Sequence, residues 1–155
     1  MAPFIENISK RDFEFGLHYD AGPNSMLIQI LDPCGWFPVS KIKFKEIHQF
    51  EFLDLEDHHA APDEQCRISD EQAAKLADLL QHALANQMNV IVHCQAGICR
   101  SGAVVDVAVQ LGFRDPEKFR SPNLAVKHKM MKHLGLMYDP FAKHTEYFTD
   151  NERKL

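Results

Sequence analysis

The segment Val92-His93-Cys94-Gln95-Ala96-Gly97-Ile98-Cys99-Arg100-Ser101-Gly102 sets a cysteine and an arginine six residues apart, between a β-branched run and a helical pattern. A loop in that position curls around a helix N-terminus, where unpaired amide donors and the positive end of the helix dipole favour an anion. Gly97 permits backbone angles that other residues resist. Arg100 closes the ring, and its planar guanidinium grips two oxygens of a phosphate at once. The same field favours the thiolate of Cys94, since helix N-termini and nearby cations promote thiol ionisation. A thiolate beneath a bound phosphate is placed for in-line attack on phosphorus, with the loop amides and arginine stabilising the equatorial oxygens. His93 is expected to orient the loop through hydrogen bonds. Ser101 is expected to stabilise the sulfur as leaving group when a phosphocysteine is hydrolysed. A buried structural cysteine is the alternative for Cys94. Arg100 decides against it, because a cation at a helix N-terminus opposes the dipole unless an anion is bound there.

Positioning these groups takes a strand before the cysteine and a helix after it, and the pattern supplies both. Met88 to His93 reads as a short buried strand, and Arg100 to Leu111 as a buried helix ended by Gly112. Upstream, Met26 to Leu31 is a strand closed by the turn Asp32-Pro33-Cys34-Gly35, and Ile47 to Leu55 is a second strand running into a loop over residues 58–67. Ser69 with Gln72 three residues on makes a capping box. Ala73, Leu76, Leu79, Leu80, Ala83 and Leu84 then follow at helical spacing, so a helix is expected over Asp70 to about Gln87. Ser121 as cap and Pro122 at the first helical position open a further helix, ended by Gly135. Its residues Lys127, His128, Lys129, Lys132 and His133 read as a solvated basic face. Strands alternating with helices indicate one α/β domain with a mainly parallel central sheet flanked by helices. Its core is expected over about residues 26–136, with the tail 139–155 docked on it.

Composition agrees with a globular protein. The 155 residues are 45% hydrophobic and 25% charged, the balance of one folded domain rather than a disordered chain. A net charge of -5 argues against binding nucleic acid through bulk positive charge. No apolar run is long enough to span a bilayer, and Met1 to Asp12 shows no secretory signal, so neither membrane nor export is expected. Four cysteines (Cys34, Cys66, Cys94, Cys99) are too few for a disulfide scaffold, which favours a reducing, cytoplasmic setting.

His93-Cys94 through Arg100-Ser101 resembles the His-Cys-x5-Arg-Ser/Thr signature of the cysteine-dependent protein tyrosine phosphatase superfamily. The chain's size is similar to the compact dual-specificity-like members of bacteria and phages. The order of elements from about Met26 to Leu136 also resembles that branch; the low-molecular-weight branch, with its cysteine loop near the N-terminus, fits less well. The resemblance implies a phosphatase-like fold and hydrolysis of phosphomonoesters through a phosphocysteine intermediate. Cys94 is then the nucleophile, and Gln95, Ala96, Gly97, Ile98, Cys99 and Arg100, with His93, bind the phosphate. It implies phosphotyrosine in proteins as the favoured substrate, with dual specificity or a small phosphomonoester as the wider option. If phage-encoded, the protein would work in the host cytoplasm. A spacer without lysine weighs against highly charged inositol phosphates. Cys99 stands where relatives commonly carry serine or threonine; it is either a tolerated isostere or a partner for a protective disulfide with Cys94.

The reaction also needs a general acid, usually an aspartate on a loop before the capped helix. Phe52-Leu53-Asp54-Leu55 resembles the Phe-x-Asp-hydrophobic pattern of compact microbial relatives, whereas Leu55-Glu56-Asp57-His58 resembles the acid loop of lipid-directed ones. Asp54 and Asp57 therefore both stand as candidates, with Asp63 behind them. No metal and no cofactor is expected. His48, His58 and His59 match no compact zinc spacing. Trp36-Phe37-Pro38 reads as a core or loop anchor, with a cleft wall as the other option. A catalytically idle module that binds phosphorylated proteins is the rival function, and sulfur transfer of the rhodanese type a weaker one.

Overall fold

The structure is a computed structural model that describes residues 1–55 and 67–136. Strand β1 (Ile5–Ser9) leads directly into the short helix α1 (Lys10–Glu14). Strands β2 (Ser25–Leu31) and β3 (Glu46–Glu51) follow, then α2 (Asp70–Ala85), β4 (Asn89–Cys94), α3 (Arg100–Leu111) and α4 (Leu124–Leu134). The four strands form one sheet in the order β1-β4-β2-β3, and every pairing is parallel. The expected mainly parallel α/β architecture is thus present, with helices flanking the sheet.

Strand chemistry follows position in that sheet. β2 lies in the interior and is buried along its whole length, as a parallel strand covered on both faces should be. β3 is an edge strand and only Phe50 within it is buried. Met26, Ile28 and Ile30 with Val90 and Val92 face α2, α3 and α4 in the main core. Alternate residues Leu27 and Ile91 turn to the other face, where Ile8, Phe13, Ala21 and Phe44 cover them.

Helix boundaries obey their caps. Ser69 and Gln72 form the reciprocal capping box at the start of α2. Gly112 ends α3 as expected, and Gly135, in the left-handed region, ends α4. α4 does not begin at Ser121-Pro122. Asn123 is its cap, its side chain accepting from the Val126 N–H at 3.1 Å, while the Ser121 N–H is taken by the Ile98 carbonyl.

Three further expectations are corrected. The core does not begin at residue 26: Ile5 is fully buried and β1 forms one edge of the sheet. The run Ile5-Glu6-Asn7-Ile8 hides its strand character because Glu6 and Asn7 are polar yet buried. Nor is the basic face of α4 wholly solvated. Lys127 is 0% exposed and bonds the Asp106 carboxylate of α3 at 2.9 Å, Lys129 reaches the Ile68 carbonyl, and His133 pairs with Asp78. Trp36 is not a core anchor, being 83% exposed. Asp57, Asp63, His58, His59, Cys66 and the tail 139–155 lie outside the described residues. Among the described residues no helix is long and apolar enough to cross a membrane.

Candidate active site

The parallel sheet brings the carboxyl ends of β2, β3 and β4 to one edge, where open α/β folds gather their ligands. β4 ends on Cys94, residues 95–99 form the loop, and α3 starts at Arg100. The Cys94 sulfur is buried. It receives the Gly97 N–H at 3.2 Å and lies 3.2 Å from the Ser101 hydroxyl.

Loop carbonyls are anchored outward on two sides. The Gln95 carbonyl accepts from the Lys10 N–H of α1 (3.2 Å), and the Gly97 carbonyl from Asn7 Nδ2 of β1 (2.8 Å). The Ile98 carbonyl accepts from the Ser121 N–H (3.1 Å), and the Cys99 carbonyl from the N–H groups of Ala103 and Asn123 (both 2.9 Å). In a trans peptide the next N–H points opposite to the carbonyl. The N–H groups of Ala96, Ile98, Cys99 and Arg100 therefore face away from these anchors. Among the described residues, those of Ala96, Ile98 and Arg100 are committed to no protein acceptor.

Gly97 is where the turn is tightest. Its φ is +74°, and a Cβ there would sit 2.3 Å from the Ser9 nitrogen and 2.4 Å from the Ile8 carbonyl carbon. Only glycine lets the loop lie against the β1–α1 junction. Gln95 and Ala96 are exposed at the mouth, whereas Ile98 and Cys99 are partly covered. Cys34, Cys94 and Cys99 are all thiols here, so no bridge joins Cys94 to Cys99.

Arg100 is buried, with its Nη1 donating to the Asp32 carboxylate at 2.7 Å and to the Phe52 carbonyl at 2.8 Å. Its Nε is buried and has no partner among the described residues. The guanidinium is thus held along one edge, leaving another for a ligand. Asp32 was not among the expected site residues. It lies just beyond β2, on the same sheet edge as Cys94, and that shared edge was the signal available in the sequence. Its carboxylate is 59% exposed, so the ion pair orients Arg100 more than it stabilises the fold.

Asp54, one of the two leading acid candidates, is exposed and follows Phe52 by two residues. Its Oδ1 accepts from Asn123 Nδ2 at 2.7 Å. Asn7 escaped the sequence reading because buried asparagine carries no periodic signature, and Asn123, read with Pro122 only as a helix start, gave no sign of its contact with Asp54.

His93 departs from its expected role. Both ring nitrogens are buried and neither has a well-formed hydrogen bond. The ring stacks on Phe13 instead, with centroids 4.9 Å apart. Burial pushes the imidazole down to about pKa 4, with the Cys94 backbone opposing and the Lys10 charge assisting. His93 is therefore a neutral packing group under the loop.

Behind the loop, Arg120 bridges Asp106 of α3 and Asp115, and Lys127 of α4 shares Asp106. Burial opposes the Arg120 charge, but the hydrogen bonds to Asp115 and Asp106 outweigh it and raise the pKa. For Lys127 burial wins and lowers the pKa, although Asp106 resists. Gly102 lets this cluster approach, since a Cβ there would meet the Arg120 Cβ at 3.0 Å. Among the described residues no group of three or more His, Cys, Asp or Glu gathers as a metal site.

No protein-family model matches this chain, and no curated protein matches it in sequence. Among solved structures, the crystal structure of Tk-PTP in the active form is similar with a TM-score of 0.40 and 13% identity, over 94% of this chain and 85% of that one.

Proposed function

We propose that this chain is a phosphomonoester hydrolase that works through a phosphocysteine, with phosphotyrosine in proteins as its favoured substrate. One observation carries the reading: Cys94 Sγ lies at the base of the loop, reached by the Gly97 N–H from the loop and by the Ser101 hydroxyl from α3, while Arg100 is held at the loop's far end with Nε unpaired among the described residues. In this reading a phosphate dianion sits against the loop N–H groups and the open edge of Arg100. Cys94 thiolate attacks phosphorus, an S–P bond forms and the bond to the leaving oxygen breaks. A protonated carboxyl, Asp54 or Asp57, gives its proton to that oxygen. The resulting carboxylate then takes a proton from water, whose oxygen attacks phosphorus. The S–P bond breaks, and sulfur leaves as a thiolate stabilised by Ser101 and the Gly97 N–H.

Asp32 keeps the arginine fork in one plane, which suits two-point contact with a phosphate that adds charge only at its oxygens. A spacer of Gln95, Ala96, Gly97, Ile98 and Cys99 adds no lysine to the mouth, which fits a single phosphate better than a polyphosphorylated ring.

The test is hydrolysis of para-nitrophenyl phosphate in the presence of a chelator, with vanadate as inhibitor. Vanadate-sensitive turnover lost in Cys94→Ser is the expected result. Phosphopeptide binding without turnover would show an idle binding module instead. Cysteine-dependent thiosulfate turnover with neither would show a sulfur transferase.

A further inference from the structure

Asn123 makes more connections at the site than its place as a helix cap requires. Its backbone N–H bonds the Cys99 carbonyl at 2.9 Å, one residue before Arg100. Its Oδ1 caps α4 by accepting from the Val126 N–H. Its Nδ2 donates both hydrogens across to the segment after β3, to Asp54 Oδ1 at 2.7 Å and to the Leu55 carbonyl at 3.1 Å. The asparagine side chain is buried while Asp54 is exposed, so these two bonds are shielded from water on the Asn123 side. A cap needs only the oxygen, and serine, threonine or aspartate would serve. The amide donor is what those residues lack.

We infer that Asn123 is a positioning residue that makes Asp54 the general acid, fixing its carboxyl relative to the phosphate loop. The inference rests on the hydrolase reading and selects between the two aspartates that the sequence leaves open. A neutral carboxyl accepts from Asn123 at Oδ1 and so carries its proton on Oδ2, turned away from the asparagine. The same residue grips the loop through Cys99, so donor and phosphate cradle form one body. Asp54 is otherwise an exposed side chain on an irregular segment, free to sample several rotamers. Removing that freedom is the contribution, because a catalytic proton donor must lie within hydrogen-bond reach of the leaving oxygen.

Two variants keep the cap and delete the amide donor without adding a charge beside Asp54: Asn123→Ser and Asn123→Thr. Each is compared with wild type on phenyl phosphate, whose poor leaving group needs protonation, and on para-nitrophenyl phosphate, whose leaving group needs little. The expected result is a loss of kcat on phenyl phosphate about tenfold greater than on para-nitrophenyl phosphate, a fraction of what general acid catalysis supplies. In an Asp54→Asn background the same substitutions should produce no selective loss, because the group they position is already disabled. Equal losses on both substrates would overturn the inference, leaving Asn123 a structural brace. So would a selective loss that persists in the Asp54→Asn background, or a single Asp57→Asn variant that itself loses phenyl phosphate turnover selectively while the single Asp54→Asn variant does not. A wild-type protein without Cys94-dependent turnover would defeat the hydrolase reading itself, and this inference with it. An active wild type showing no selective loss would defeat this inference alone.

Discussion

His93 adds an acid-sensitive contribution to stability. Its imidazole is neutral when folded, with a pKa of about 4, against 6.5 for an unperturbed histidine. Above pH 6.5 both folded and unfolded forms are neutral there, and the residue makes no contribution to pH dependence. As pH falls below 6.5 the unfolded chain takes up a proton that the folded chain refuses, so stability declines until about pH 4. The full decline is about 3 kcal/mol at 1.36 kcal/mol per pKa unit. Urea unfolding at pH 7 and pH 4.5 should show it, and His93→Phe should flatten that slope by keeping the ring stacked on Phe13 without a titrating group. An unchanged slope in the variant would place the acid sensitivity elsewhere. The sequence showed that a histidine stands beside Cys94 but not what it does. Its role depends on Phe13, a residue eighty positions away in the chain that only the fold brings into contact. The contacts that Asp32 and Asn123 make at the site were illegible for the same reason, since each acts through a partner far away in the sequence.

Among the elements, the strand–loop–helix unit was readable and its buttresses were not. Periodicity and Gly112 give the end of α3, and the β-branched run gives β4 within a residue. β1 and α1 were missed because Glu6 and Asn7 break the apolar pattern. Both are buried: Asn7 ties the Gly97 carbonyl, while Glu6 pairs with Lys118 and accepts the Tyr19 N–H. That arrangement makes Gly97 the contact between two elements that must share space. Gly97→Ala sets a methyl against backbone atoms of Ile8 and Ser9 and also holds alanine at φ +74°. Neither neighbour is a flexible side chain that gives way. The expected cost is about 3 kcal/mol, combining overpacking with a disfavoured backbone region, together with loss of turnover. Urea denaturation and the para-nitrophenyl phosphate assay check both parts. A variant that keeps full stability would mean that the β1–α1 junction does not brace the loop.

For the molecule as a whole, the parallel sheet determines which residues meet. The carboxyl ends of β2, β3 and β4 deliver Asp32, the Phe52 carbonyl and Cys94 to one edge, and α3 and α4 deliver Arg100 and Asn123 to the same place. Alternation of strands and helices in the sequence was enough to expect that sheet, because βαβ connections favour parallel pairing. The sheet order, with β1 beside β4, was not legible, since strand adjacency depends on packing across the whole chain. The central claim is that Cys94 becomes covalently phosphorylated during turnover. It is tested most directly by quenching the enzyme with acid within milliseconds of adding para-nitrophenyl phosphate and mapping the modified peptide by mass spectrometry. One phosphoryl group on the peptide carrying Cys94, absent in Cys94→Ser, is the predicted result. Sustained turnover with that peptide unmodified, or undiminished turnover in Cys94→Ser, would contradict the account.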